Sequence, residues 1–304
     1  MSALPENRAG KVGFRLPHLG ADAVPVFLLF ASGVVTYMWN ARAQLIWSPG
    51  LEVTGVVPLT LLMISLALKY APRAPQTVLV RARIAEVFFY CGLWAVLAVV
   101  GTRLSYLMAT LRMPLQDTLL HRMDATLGLD WHAWYAYSVS HPVLNNLQHF
   151  VYVSYAWQWL FSVIFFSATG RTNRNRELIT ALIITVVMVV SVSGILPALG
   201  PNEIYGIQSP WHDIVVTIRS GIRVPLNHMG IVTFPSLHTS FAVLYIYAHR
   251  NIKWSFLPVL ILNIGMLISI PVCGYHYFTD VIGGAFLAVV AILLTNVLIK
   301  KGAN

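Results

Sequence analysis

The chain has 304 residues, of which 57% are hydrophobic and only 10% charged, and its mean hydropathy is +0.70. Soluble globular chains carry roughly 45–50% apolar and 25% charged residues, so a soluble enzyme, a disordered chain and a disulfide-stapled secreted module are excluded. The formal charge of +9 is scattered rather than clustered, which argues for a membrane as partner and against nucleic acid.

The segment from Met1 to Ala23 is polar, carries Arg8, Lys11 and Arg15, and shows no small-residue cleavage site after the first apolar run. It reads as a retained cytosolic tail. A bilayer core of roughly 30 Å needs about 20 apolar residues of helix. Three candidate spans follow the tail: Val24 to Trp39, Leu51 to Tyr70 and Ile84 to Thr102.

Residues 113–142 differ in composition. Asp117, His121, Asp124, Asp130 and His132 alternate with Leu, Trp and Tyr. This pattern predicts short amphipathic helices at the interface, with Trp131, Trp134, Tyr135 and Tyr137 at headgroup level. Five more spans are expected: Val143 to Ala168, Leu178 to Leu199, Phe234 to Ala248, Trp254 to Val272 and Val281 to Ile299. The fourth has polar groups on its outer half, among them Gln148, His149, Tyr152 and Tyr155. Polar groups in a membrane face the bundle interior or a wet cavity. They line a lipid headgroup pocket, together with Tyr275, or they tie helices to one another. The fold expected is one all-α polytopic bundle of about eight spans, with a range of six to eight.

Lys and Arg divide by side under that count. Fourteen of the 20 fall in the N-terminal segment, near residues 69–83, 171–176 and 250–253, and at Lys300 and Lys301. The other six are Arg42, Arg103, Arg112, Arg122, Arg219 and Arg223. Short basic loops stay cytoplasmic, so both termini are expected in the cytoplasm. The loops near residues 40–50, 103–142, 200–233 and 273–280 then face the periplasm or exterior. A bacterial inner (plasma) membrane is the expected location. Cys91 and Cys273 imply neither a disulfide framework nor a metal site.

Of the ten histidines, two stand apart. His238 lies in Phe234-Pro235-Ser236-Leu237-His238, at the outer start of the sixth span. His276 lies in Gly274-Tyr275-His276-Tyr277-Phe278-Thr279-Asp280, just before the eighth. One span down and one span back separate them, so both reach the same membrane face. His276 and Asp280 are four apart at a helix start and share a face. A carboxylate there can bind one imidazole nitrogen and leave the other free to attack. Pro235 and Ser236 open a helix whose unpaired N–H groups and positive end can hold a phosphate. A second histidine at that point can protonate a leaving oxygen.

The stretches Phe-Pro-Ser-Leu-His at 234–238 and His-Tyr-x-x-Asp-Val at 276–281 resemble the two core motifs of the type-2 phosphatidic acid phosphatase superfamily. The resemblance is nearest to the branch containing inositol-phosphorylceramide synthases and related bacterial membrane proteins, and it is specific over residues 194–284. Asp124-x-x-Leu127-Gly128-x-Asp130-Trp131 also looks like that branch. The resemblance implies that His276 is a nucleophile forming a phosphohistidine, that Asp280 orients it, and that His238 is the general acid. It implies no metal and no other cofactor. The substrate it implies is a membrane lipid: a phospholipid, an isoprenoid phosphate or a sphingolipid.

Two departures from the family pattern matter. The Ser-Arg that normally precedes the nucleophile by six to seven residues is replaced by Ser269-Ile270, and the Lys followed by Arg-Pro of the first motif is absent. A phosphoryl group in transit needs cationic or N–H partners on its equatorial oxygens. On the outer loop before the sixth span only Arg219 and Arg223 are basic, and either is expected to bind phosphate beside Ser236. If water resolves the intermediate the chain is a lipid phosphate phosphatase. If a lipid or sugar hydroxyl does, it is a phosphotransferase. A lipid transporter would show inverted repeats and paired broken helices, which this sequence lacks. An inactive scaffold would not need both histidines and the aspartate.

Overall fold

The computed structural model describes residues 22–43, 55–70, 77–209, 211–221 and 230–301. The expected N-terminal tail and Arg223 lie outside them. Among the described residues the chain is helical with no strands. The helices are α1 (Ala23–Ala43), α2 (Val56–Tyr70), α3 (Val78–Ala109), α4 (Asp117–Thr126), α5 (Trp131–Ser140), α6 (Pro142–Val153), α7 (Tyr155–Ala168), α8 (Thr172–Ile195), α9 (Pro201–Ile204), α10 (His212–Ser220), α11 (Leu237–Ala248), α12 (Lys253–Cys273) and α13 (Phe278–Lys301).

Five helices, α1, α3, α8, α12 and α13, are long and apolar enough to cross a membrane, and α6 with α7 forms a sixth, bent path. The shorter apolar helices α2 and α11 complete the set. The chain is an all-α polytopic membrane bundle, and every expected span has its helix. Several bounds differ, three of them with consequences for the fold. The fourth span is not continuous: it bends by 44° at Ser154, whose hydroxyl donates to its own helix at Val151. The third span runs on as helix to Ala109. The fifth stops at Ile195, and residues 196–200 form a corner instead.

Buried side chains of α3, α7, α8, α11 and α13 form the main core, including Leu97, Phe166, Leu182, Val186, Leu244, Tyr245 and Ala288. Phe27 and Phe30 of α1, Phe286 of α13 and Ile261 of α12 point outward, as a lipid-facing surface requires. Some polar groups within the bundle are matched to each other. Asn263 donates to Gln158 at 2.6 Å, and His249, fully buried, sits between Ser162 and Ser255. An unpaired polar group at that depth would cost several kcal/mol.

Charged groups gather at one end of the bundle. Arg176 binds Asp22 at 2.9 Å, Arg250 binds Glu177 at 2.8 Å, and Arg83 donates to the Ser167 carbonyl. These groups sit at the starts of α1, α3 and α8 and the ends of α7 and α11, so those ends meet. Between α1, α2 and α3, toward the same end, lies a groove of about 640 Å³ lined by Val26, Phe27, Phe30, Leu66 and Phe89. The opposite end gathers the starts of α11 and α13 with the corner after α8, covered by α4 and α5.

Candidate active site

Two helix starts build the site. Ser236 is the N-cap of α11, and its side chain accepts from the Thr239 N–H at 3.3 Å, as a serine in that position does. That puts His238 in the first turn. The preceding loop is tied to α13: the Ser236 N–H donates to the Asp280 carbonyl at 3.0 Å, and the Ser240 hydroxyl donates to the Gly284 carbonyl at 2.8 Å. Gly284 allows this approach, because a Cβ there would collide with the Ser236 carbonyl.

At the start of α13, His276 Nδ1 is 3.0 Å from Asp280 Oδ2, and the same oxygen accepts from the Tyr277 N–H at 3.0 Å. The histidine is 4% exposed and the aspartate 0%, so water does not screen the pair. With Nδ1 held by the carboxylate, Nε2 is the nitrogen left for chemistry. Burial pushes the His276 imidazole down to about 4, a shift that the Thr233 backbone carbonyl against the ring only partly offsets. The ring is therefore neutral, donating to the carboxylate, at neutral pH.

His238 is held by aromatics. Tyr152 stacks on it at 4.4 Å with its hydroxyl 3.3 Å from Nδ1, and Tyr155 meets it edge-on at 4.6 Å. The hydroxyl occupies Nδ1, so Nε2 is the free nitrogen here too. A Cβ at Gly274 would meet both the His276 ring and the Tyr152 hydroxyl, so Tyr152 links the surroundings of the two imidazoles.

The remaining candidates are dispersed. Gln148 is buried and accepts from the Ser138 hydroxyl, joining α6 to α5. His149 is exposed on α6. Tyr275, at φ 51°, is half-buried between Tyr135 and Trp211, one residue from His276. Arg219 is at the far end of α10 from Trp211, and its guanidinium donates to the Met113 carbonyl at 2.8 Å. Ser236 accepts in its cap.

Trp131 does not present its ring to the surroundings: it is 2% exposed and donates through Nε1 to the Pro271 carbonyl at 2.7 Å, which also accepts from the His276 N–H at 3.3 Å. A buried indole N–H is satisfied by such a partner within the protein.

The sequence reading missed two carboxylates. Asp124, 2% exposed, accepts from the Phe278 N–H and Thr279 N–H, both at 2.8 Å, and from the Thr279 hydroxyl at 2.5 Å. It caps α13 from another helix. Asp117 accepts from the Leu199 and Gly200 N–H groups and from the Tyr277 hydroxyl at 3.1 Å. Burial first, and the neighbouring carboxylates after it, hold the Tyr277 phenol well above its ordinary pKa, so it stays a donor. The available signal was an acidic pair at 117 and 124 on an otherwise interfacial stretch.

Among the described residues no group of three or more His, Cys, Asp or Glu could hold a metal ion. No curated protein and no solved structure matches the chain. One family model does, over residues 118–294, from the start of α4 through most of α13. Members of that family are phosphoric ester hydrolases or phosphotransferases. Because the match covers more than half the chain and contains both histidines, Asp280 and Asp124, the chain belongs to the PAP2 superfamily.

Proposed function

We propose that this integral membrane protein removes or transfers a phosphoryl-containing group from a membrane lipid through a phosphohistidine at His276. The observation that carries the reading is the buried His276–Asp280 hydrogen bond, with His238 at the start of α11, whose N-cap is tied to Asp280. In the first step His276 Nε2 attacks phosphorus, the bond from phosphorus to the lipid oxygen breaks, and His238 gives that oxygen a proton. In the second step an acceptor O–H gives its proton to His238, and its oxygen takes the phosphoryl group from His276. The N–H groups at the start of α11 supply the oxyanion contacts, with Arg219 or Arg223 as the cation that completes them.

Water as acceptor makes the enzyme a phosphatase. A lipid hydroxyl makes it a transferase like the inositol-phosphorylceramide synthases. The distribution of Lys and Arg supports a site on the periplasmic or exterior side. The deciding experiment incubates purified protein with phosphatidic acid, isoprenoid phosphates and phosphodiester lipids, with and without a ceramide or diacylglycerol acceptor. Phosphate release or a new phospholipid supports the reading; neither product, with no phosphoenzyme, refutes it.

A further inference from the structure

We infer that Asp124, Asp117 and Trp131 form a clamp through which the α4–α5 segment positions the His276 nucleophile. The clamp takes its chemical setting from the function proposed above, but its geometry stands apart from it. His276 sits on a short loop between two helices. Left to itself, such a loop would exchange conformers, and the start of α13 would have unpaired N–H groups.

The α4–α5 segment removes both freedoms. Upstream of His276, Trp131 binds the Pro271 carbonyl. Immediately downstream, Asp117 binds the Tyr277 hydroxyl. One residue further, Asp124 takes up two backbone N–H groups and one hydroxyl of Phe278 and Thr279. The contacts cross 140 to 160 residues of sequence and fall on both sides of one imidazole. Asp117 also binds the Leu199 and Gly200 N–H groups, and Gly200, at φ 118°, lies against the Tyr275 carbonyl and Thr233. The corner after α8, the loop before α11 and the His276 loop therefore share one knot.

Leu120 packs with Ala198, Tyr277 and Phe234. Asp117 and Asp124 accept hydrogen bonds from Leu199, Gly200, Tyr277, Phe278 and Thr279 and not from the His276 ring. They are positioning residues: they act by fixing where Nε2 points.

The test compares Asp124→Ala, Asp124→Asn and Trp131→Phe with wild type, using phosphatidic acid in detergent micelles. Displacing a reacting atom by about 1 Å can cost about 10²-fold. Asp124→Ala should therefore slow phosphoenzyme formation by about that factor, with KM within threefold. The stoichiometry of phosphorylation should stay at the wild-type value, which a merely unfolded fraction would lower. Its acid limb in a pH–rate profile should rise toward 6.5 as the ring gains water.

Asp124→Asn keeps one acceptor oxygen and should recover part of the rate. Trp131→Phe keeps an aromatic side chain but loses the Nε1 donor and should show the same signature more weakly, which covers the case in which Asp124→Ala does not fold. Unchanged phosphorylation rates in a folded Asp124→Ala and in Trp131→Phe would overturn the clamp. If wild type itself neither turns over nor phosphorylates, the proposed function falls. Amide exchange at residues 277–280 then decides the clamp alone: protection in wild type that is lost in Asp124→Ala supports it, and equal exchange in the two overturns it.

Discussion

Replacing Asp280 by Asn removes one charge and little volume. In the resting site the neutral His276 ring donates to Asp280 Oδ2 at 3.0 Å. As Nε2 bonds to phosphorus, the ring becomes cationic, so the carboxylate gains attraction only on the way to the transition state. At that separation, with an effective dielectric of about 20, a full unit charge interacts by roughly 5–6 kcal/mol. If about half the charge has developed, the difference is roughly 3 kcal/mol, or about 10²-fold in kcat. KM should move little, because the ground-state hydrogen bond survives with the Asn carbonyl as acceptor. The assay is rapid quench into alkali, which preserves the phosphorus–nitrogen bond, with phosphoenzyme and lipid product followed together. A variant within threefold of wild type in both would mean that Asp280 is not the partner of a charging imidazole.

Four further outcomes are expected. His276→Ala should abolish both turnover and phosphoenzyme, whereas His238→Ala should lose roughly 10²–10⁴-fold on lipid alcohol esters and far less on p-nitrophenyl phosphate; equal losses on both would remove the general-acid role. The acid limb of kcat/KM should lie near 4 rather than 6.5: burial lowers the pKa of His276, so the neutral nucleophile persists as pH falls and is lost only as the proton binds near 4. A limb at 6.5 or above would show that the Asp280 charge outweighs burial. In a background lacking Cys91 and Cys273, a cysteine at exposed Thr126 should react with an impermeant thiol reagent in intact cells, and one at exposed Thr169 only after the membrane is opened; the reverse would invert the orientation. Chelator should leave activity nearly unchanged, since two imidazoles and a carboxylate carry the steps; loss restored only by a divalent cation would point to a metal-activated water.

The membrane bundle and the catalytic pair could be read from sequence because both are local. A membrane helix satisfies its own backbone, so twenty apolar residues identify it wherever it packs. His276 and Asp280 are one helical turn apart, and Ser236 caps three residues ahead of itself, so spacing alone brings those atoms together. Contacts between distant segments have no such signature. The Tyr152 and Tyr155 contacts on His238, the Arg219 bond to Met113, the burial of Trp131, and the hold of Asp117 and Asp124 on residues 277–279 join positions 83 to 160 residues apart, with no signature in hydropathy or period. An aspartate on an interfacial helix has the same sequence pattern whether it faces water or caps another helix. Only the packing of α4 against the start of α13 decides it, by removing water from a carboxylate that must then find its donors in the protein.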